Sequence, residues 1–194
     1  AVAVARAHAA FLQWRAVPAA RRARQLHAVA RALLRRREEL AMLITTTMGK
    51  PLAQSRAEIE KCALACDFYA QHGAGFLRPE VPPGAHPGAR VCFAPNKIVL
   101  NILPWNFPFW QTFRAAAPAL AAGNVLLLKP APVTAACGLA IEGLFREADF
   151  PPAVFQTVLV ETGAIPPLLA DPRLAAVTLT GSTHAGKSVA ALAG

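Results

Sequence analysis

The stretch from Ile98 to Lys129, IVLNILPWNFPFWQTFRAAAPALAAGNVLLLK, decides the fold of this chain. It begins with the apolar run Ile98 to Leu103, which is short enough to be a buried strand. Pro104-Trp105-Asn106-Phe107-Pro108 then ends that strand, because proline lacks the backbone donor that a sheet ladder needs. The sequence therefore predicts a turn at the carboxyl end of a buried strand.

A helix and a second strand follow this turn. Phe109 to Ala122 has the length of a helix, with Pro108 at its start and Gly123-Asn124 as its stop signal. Val125 to Leu128 is another apolar run, and it ends on the single charge of Lys129. Strand, helix and strand in this order predict a βαβ unit with parallel strands and a right-handed crossover.

Two polar side chains stand at the ends of these strands, Asn106 after the first and Lys129 after the second. Ligands bind at the carboxyl ends of parallel strands, so the pair suggests a site. The amide of Asn106 could donate to a developing oxyanion, an interaction worth roughly 3–4 kcal/mol, or it could only hold the turn. Lys129 could donate to ribose hydroxyls or a phosphate, or it could only cap the strand with its charge in water.

The alternation of strand and helix continues to the end of the chain. After Lys129, Pro130 and Pro132 hold a turn, and Thr134 is predicted to cap the next helix, which carries apolar residues at helical spacing as far as Ala148. Val154 to Val160 and Ala175 to Thr180 are predicted strands, with a short helix from Ile165 to Ala170 between them. Gly181-Ser182-Thr183 then leads into a helix that starts near His184. Backbone N–H groups and the dipole at such a helix start attract phosphate.

The amino-terminal half is helical. Ala20 to Ile44 and Leu52 to Gln71 carry apolar residues at helical spacing, and Gly73 is expected to end the second helix. Prolines and glycines punctuate Leu77 to Pro95, which predicts an extended hairpin that leaves the body. The predicted fold class is α/β, with a partial Rossmann-like parallel sheet flanked by helices, amino-terminal helices and a protruding hairpin.

Composition limits the function classes. No apolar run in the 194 residues reaches the ~20 that a membrane-spanning helix needs, so we expect no membrane partner. The net charge of +9 comes mainly from arginines before Glu38. Because no nucleic-acid motif accompanies them, a solvated helix face is favoured over a nucleic-acid patch. The four cysteines lack CxxC spacing, which indicates a reduced, cytoplasmic chain, and neither they nor other residues offer a metal site.

The chain resembles the aldehyde dehydrogenase superfamily in the motifs PWNFP, FRAAAPALAAGN, LLLK and TGST. The sequences of these motifs are closest to those of its succinate-semialdehyde dehydrogenase branch. The resemblance implies NAD(P)-dependent oxidation of a small aldehyde, succinic semialdehyde in this branch, to a carboxylic acid. It implies that Asn106 is catalytic and stabilises the thiohemiacetal oxyanion. The residues implied to bind the cofactor are Ile102, Leu103, Pro104, Trp105, Lys129, Pro132, Gly181 and Ser182.

One departure from the family concerns the cofactor. Three residues after its Lys the family often has a Glu that holds the adenosine ribose, and Pro132 stands there. Without that carboxylate, a ribose acceptor and a charge that repels a 2′-phosphate are both lost. Both NAD and NADP therefore remain candidates.

Other departures concern the extent of the chain. The family's nucleophilic Cys and general-base Glu are expected beyond Gly194, so the chain resembles an amino-terminal fragment that is inactive alone. Residues 1–76 and 98–194 would form an incomplete dinucleotide-binding domain. Residues 77–97 would form the hairpin of the oligomerisation arm of a homo-oligomer.

Two rival functions are open at this point. Residues 181–188, GSTHAGKS, satisfy the P-loop pattern GxxxxGK[ST] after a strand, which is typical of nucleotide triphosphatases. In that case Lys187 would reach the terminal phosphates and Ser188 would hold Mg²⁺. The second rival is a non-catalytic interaction domain, which the shortness of the chain favours.

Overall fold

The computed structural model describes residues 2–194 and contains helices, four parallel strands and short 3-10 turns. The elements are α1 (Val2–Trp14), α2 (Ala19–Arg35), α3 (Arg37–Met48), α4 (Leu52–Phe76), β1 (Ile98–Ile102), α5 (Trp110–Ala121), β2 (Val125–Lys129), α6 (Ala135–Glu147), β3 (Phe155–Thr157), α7 (Ile165–Leu169), β4 (Leu174–Leu179) and α8 (Thr183–Ala193).

The sheet has the order β3-β2-β1-β4, and every pairing in it is parallel. β1 and β2 are neighbours joined through α5, as the βαβ pattern predicts. All five residues of β2 are buried, which explains why its sequence is an unbroken apolar run. The prediction of a partial parallel sheet flanked by helices is confirmed.

Helices cover both faces of this sheet. Successive strand residues point to opposite faces, and β3 shows both sides at once. Phe155 stacks on Phe145 of α6, with ring centres 4.4 Å apart. The next residue, Gln156, donates from Nε2 to the carbonyl of Ala3 in α1 at 3.2 Å. The core is therefore a three-layer α/β arrangement with β2 at its centre.

The carboxyl end of α5 is fixed by the first two helices. Trp14 donates from its indole nitrogen to the Leu120 carbonyl at 3.2 Å. Arg22 donates from Nε to the Ala121 carbonyl at 2.8 Å, and burial lowers the pKa of its guanidinium. These contacts satisfy carbonyls that a helix end leaves without partners. The amino-terminal helices thus hold the helix that follows the PWNFP turn.

Two predictions of element length were wrong. Ala20 to Ile44 is not one helix, because the chain breaks at Arg36, which has φ −98° and ψ 15°. The acidic side chains Glu38 and Glu39 stand in the first turn of α3, where negative charge favours a new helix start. The third strand was predicted as Val154 to Val160 but is β3, since this edge strand pairs only with β2.

Two predictions of helix ends were also wrong. Gly73 lies inside α4 rather than at its end, and a Cβ built there would meet Ala121 Cβ at 3.2 Å. This glycine therefore permits close packing of α4 on α5. Thr134, expected to cap α6, donates from Oγ1 to the Ala131 carbonyl at 3.2 Å instead of accepting a helix N–H.

Residues 77–97 run outside the layers and are mostly exposed. Glu80 and Val91 form an isolated antiparallel bridge, in which each N–H donates to the other's carbonyl at 3.0 and 2.9 Å. The extended hairpin predicted from the prolines and glycines is thus present. Its contact with the body is small, and Val81 and Phe93 remain exposed.

Candidate active site

The ends of three strands meet at one edge of the sheet. Ile102 at the end of β1 lies between Lys129 of β2 and Leu179 of β4. The ladder continues for one residue on each side: Leu103 N–H donates to the Lys129 carbonyl, and Thr180 N–H donates to the Ile102 carbonyl, both at 3.1 Å. The PWNFP turn and the turn at residue 181 therefore leave the sheet beside Lys129, at the edge where parallel sheets bind ligands.

Two clefts adjoin along this edge, with volumes of about 400 Å³ and about 410 Å³. Lys129 and Thr162 line both of them. The predicted cofactor residues among the lining side chains are Pro132 in the first cleft and Ile102, Leu103, Pro104, Lys129 and Gly181 in the second. Six of the predicted residues are thus brought together in one groove.

The other predicted residues lie outside these clefts. Trp105 and Asn106 stand exposed on the turn after β1, and Ser182 stands exposed at the start of α8. Trp105 leaves 53% of its surface exposed, which is unusual for a tryptophan without a partner. These side chains border the groove rather than form its walls.

Asn106 is oriented by a neighbour on α5. Gln111 donates from Nε2 to Asn106 Oδ1 at 3.2 Å, and its backbone N–H donates to the Phe107 carbonyl at 3.1 Å. Because its oxygen is occupied, the amide nitrogen of Asn106 points its N–H groups away from Gln111. Asn106 therefore presents donors at the sheet edge, which is the polarity that an oxyanion requires.

Lys129 is the cation of the groove. Only 9% of it is exposed, and no carboxylate pairs with its ammonium within residues 2–194. A buried, unpaired ammonium is costly unless a ligand supplies acceptors or negative charge. The donor chemistry of this wall thus fits a phosphate or a ribose.

Ser182 is the amino-terminal cap of α8, since its Oγ accepts the N–H of Ala185 at 3.2 Å. The Gly186 N–H donates to the Ser182 carbonyl at 2.9 Å. Residues 183–186 are therefore helical, whereas in a P-loop they would form a loop around a phosphate. Lys187 and Ser188 then follow inside the helix. The residues of the GxxxxGK[ST] pattern do not form a phosphate cradle, and the nucleotide triphosphatase alternative loses its structural basis.

The sequence profile of the Aldehyde dehydrogenase family matches residues 1–194. The chain belongs to the aldehyde dehydrogenase family. The resemblance seen in PWNFP, LLLK and TGST is thereby confirmed, and these motifs are the ones that line or border the groove.

Several curated relatives are named succinate-semialdehyde dehydrogenases. The NADP(+) enzyme of Mycobacterium tuberculosis is 44% identical over 99% of this chain and 43% of its own length. The NAD(P)+ enzyme of Escherichia coli is 40% identical over 97% of this chain and 41% of its own length. Our chain therefore spans less than half of each of these relatives.

The fold agrees with solved aldehyde dehydrogenase structures. The succinic semialdehyde dehydrogenase of Streptococcus pyogenes, crystallised with NADP+, superposes with a TM-score of 0.93 at 31% identity. The match covers 99% of this chain and 42% of that structure. The partial sheet of this chain thus corresponds to the part of that structure on which it superposes.

None of the cysteines resembles an activated nucleophile. Cys62, Cys66 and Cys137 are buried, and burial raises the pKa of each thiol, that of Cys137 to about 11. Cys92 lies on the hairpin, away from both clefts. Burial therefore disfavours the reactive thiolate form of Cys62, Cys66 and Cys137.

Sequence reasoning missed three residues of the site. Glu161 and Thr162 line the first cleft together with Pro132, although they follow a strand that the sequence made too long. Gln111 orients Asn106 from the first turn of α5. Its place near the start of the predicted helix, shortly after Asn106 in the chain, was the available signal.

Neither a membrane-spanning helix nor a metal cluster is present within residues 2–194. No helix there combines the length and the hydropathy needed to cross a bilayer. No group of three or more His, Cys, Asp or Glu side chains there is arranged to hold a metal ion.

Proposed function

We propose that this chain supplies the cofactor groove and one oxyanion donor of an NAD(P)-dependent aldehyde dehydrogenase that oxidises succinic semialdehyde to the dicarboxylic acid. The observation that carries the proposal is the sheet edge itself. Asn106, Lys129 and Gly181 follow the ends of β1, β2 and β4, and Lys129 and Gly181 line one groove. The names of the relatives, given above, support the substrate and the choice of nicotinamide cofactor.

A dinucleotide matches the chemistry of the groove. Its two phosphates need positive potential, which Lys129 and the amino-terminal end of α8 supply. Its adenosine ribose needs donors or acceptors, which Lys129 and Glu161 supply at the first cleft. When bound, the cofactor supplies the hydride acceptor, and the protein's part is to hold and orient it.

Asn106 acts on the substrate side of the site. Gln111 fixes its amide so that the N–H groups are free to donate to the carbonyl oxygen of the aldehyde. Such a donor stabilises the oxygen more strongly as negative charge develops on it. Since no cysteine of this chain is suited to attack, we place the nucleophilic Cys and the general-base Glu in a part of the enzyme outside these 194 residues.

The organisation of the chain fits this role. Residues 1–76 and 98–194 share the layers described above, and we assign them to one incomplete dinucleotide-binding domain. We assign residues 77–97 to an arm that packs against a second copy of the enzyme, because Val81 and Phe93 are apolar and exposed there. The four free cysteines fit a reducing, cytoplasmic setting.

The test is reduction of NAD or NADP with succinic semialdehyde by a full-length protein that carries this chain. Replacement of Asn106 by Ala should lower kcat by about 100- to 1000-fold, because one oxyanion donor is lost. Binding of the cofactor should stay within about twofold. Equal kcat in the two proteins would remove Asn106 from the mechanism.

The isolated 194 residues provide the complementary experiment. They should bind NAD(P)H weakly or not at all and should not oxidise the aldehyde, since β4 leaves an unpaired edge and no cysteine lines the groove. Turnover above background that falls in the Asn106→Ala variant would mean that a nucleophile exists within this chain.

A further inference from the structure

A buried ion pair lies behind the PWNFP turn and is not explained by the groove. Lys50 precedes α4 and is 7% exposed, while Glu58, two turns into that helix, is 4% exposed. The Lys50 ammonium contacts Glu58 Oε2. A buried pair of this kind costs two desolvations, so it is weak evidence for stability alone. Its other contacts show what it holds.

The second oxygen of Glu58 holds the start of α5. Glu58 Oε1 accepts the backbone N–H of Phe109 at 2.9 Å and that of Trp110 at 3.0 Å. These N–H groups belong to the set that a helix start leaves without intrahelical partners. Glu58 thus acts as a cap supplied by another helix, and it fixes where α5 begins.

Lys50 holds the other side of the same turn. Its ammonium lies 3.7 Å from the ring centre of Phe107, which is a cation–π contact. Lys50 is brought there by Gly49, whose φ of +80° ends α3 in a left-handed turn. Lys50 therefore contacts the turn at Phe107, and Glu58 binds it at Phe109 and Trp110.

Asn106 is the residue next to these anchors. It is exposed and makes one side-chain hydrogen bond, to Gln111. Its place at the sheet edge is therefore set by the anchored residues that follow it. A shift of the turn by about 1 Å would move the amide away from its acceptor, which can cost about 100-fold in rate.

We propose that Lys50 and Glu58 are positioning residues that hold the turn carrying Asn106 in its reactive place. This proposal rests on the function proposed above for Asn106. Neither residue lines the two clefts of the cofactor groove. They act through the backbone of the turn.

Two variants remove the charges of the Lys50–Glu58 pair in steps. Glu58→Gln keeps an acceptor for the two N–H groups and loses the charge that faces Lys50. The double variant Lys50→Met with Glu58→Gln removes both charges, so that no unpaired buried charge remains to unfold the protein. Glu60→Gln is the matched control, because Glu60 lies on the same helix and pairs with Arg37 at the surface.

In a full-length protein, Glu58→Gln and the double variant should each lower kcat with succinic semialdehyde by about 10- to 100-fold. Cofactor affinity should stay within about twofold of the parent, since the groove is untouched. The control should match the parent in both quantities. A loss of cofactor affinity equal to the loss in kcat would overturn the proposal and indicate a general loss of folding.

The background Asn106→Ala separates positioning from structure. If the Lys50–Glu58 pair acts through Asn106, adding Glu58→Gln or the double variant to Asn106→Ala should change kcat by less than about twofold. A purely structural role would give the same fold-loss in both backgrounds. That outcome would refute the positioning role even though the single variants are slow.

A second readout does not need activity, so it distinguishes failure of this proposal from failure of the proposed function. In Glu58→Ala, hydrogen exchange at the Phe109 and Trp110 amides should be about 10-fold or more faster, since their charged acceptor is lost. Exchange at Leu126 and Leu127 in β2 should not change. Equal acceleration of exchange at the turn amides and the β2 amides would contradict the proposal that Glu58 holds the turn. No acceleration at Phe109 and Trp110 would contradict it as well.

Discussion

β2 and β4 end at the same edge of the sheet, yet they are built differently. β2 has a strand on each side, and all of its residues are buried. β4 pairs only with β1, none of its residues is fully buried, and α8 behind it has no buried residue. One side of the groove is thus part of the core, and the other rests on a sheet edge.

The difference separates two kinds of binding residue. Lys129 is the last residue of a core strand whose residues are all buried, so the core fixes its backbone position. The residue itself is buried as well. Gly181 and Ser182 are fixed by β4 and by a cap within α8. We infer that the Lys129 side is preformed and that the α8 side is looser in the isolated chain.

The largest effect should come from a core residue of β2. Leu127→Ala removes a side chain with no exposed surface and should lower the free energy of unfolding by about 2–5 kcal/mol. Val177→Ala in β4 removes a half-buried side chain and should cost less than about 1.5 kcal/mol. Urea unfolding of the 194-residue chain measures both. Equal losses would show that β4 belongs to the core as fully as β2 does.

The next effect concerns the cofactor. Lys129→Met keeps the apolar stem and removes the charge, so the Kd for NAD(P) should rise about 10- to 100-fold in a full-length protein. Ser182→Ala removes a neutral cap and should raise the Kd by less than about 10-fold. Titration followed by the change in protein fluorescence compares the two. A larger loss for Ser182→Ala would reverse the proposed division of the groove.

The same contrast explains what the sequence could predict. The apolar run before Lys129 predicts its own strand, because a strand buried on both faces has no polar residues. β3 was predicted too long, since apolar Val158 to Val160 lie beyond the ladder where no partner strand continues. Pairing at an edge depends on which neighbour is present, and periodicity does not contain that information.

The site shows the same limit. Asn106 and Lys129 could be named because each follows a strand end in the chain. Glu161 could not, because its place in the same cleft as Pro132 depends on the conformation of the loop before α7. The Lys50–Glu58 pair joins α4 to α5 across the core, and no spacing in the sequence predicts that contact.

A smaller effect is expected at the rim of the groove. Pro132 alone predicts little discrimination between NAD and NADP, but the Glu161 carboxylate lies at the same cleft and would repel a 2′-phosphate. Glu161→Gln should therefore tighten NADP binding by about 3- to 10-fold and leave NAD binding within about threefold. Glu80→Gln, on the hairpin, is the control. An NAD preference beyond about 1000-fold that survives the change would place the selecting group elsewhere.

The smallest effect concerns the turn before β4. Arg173 donates from Nε to Asp171 Oδ1 at 2.8 Å, and this hydrogen bond lowers the pKa of the Asp171 carboxyl to about 2. A carboxyl whose pKa is lower in the folded state stabilises the fold above its unfolded pKa of about 3.9. That stabilisation is lost as the pH falls to about 2. The Tm of the parent should therefore exceed that of Asp171→Asn by a small, constant margin above about pH 5.

The margin should shrink as the pH falls toward 2, because the parent's Asp171 then becomes neutral as well. Thermal unfolding of both proteins across this range measures it. Asp171 lies at the start of β4, where the Leu174 N–H donates to the Asp171 carbonyl at 2.9 Å, so the turn supports the edge strand alone. A Tm difference as large as that of Leu127→Ala would mean that the edge strand, and with it the α8 side of the groove, is held as firmly as the core.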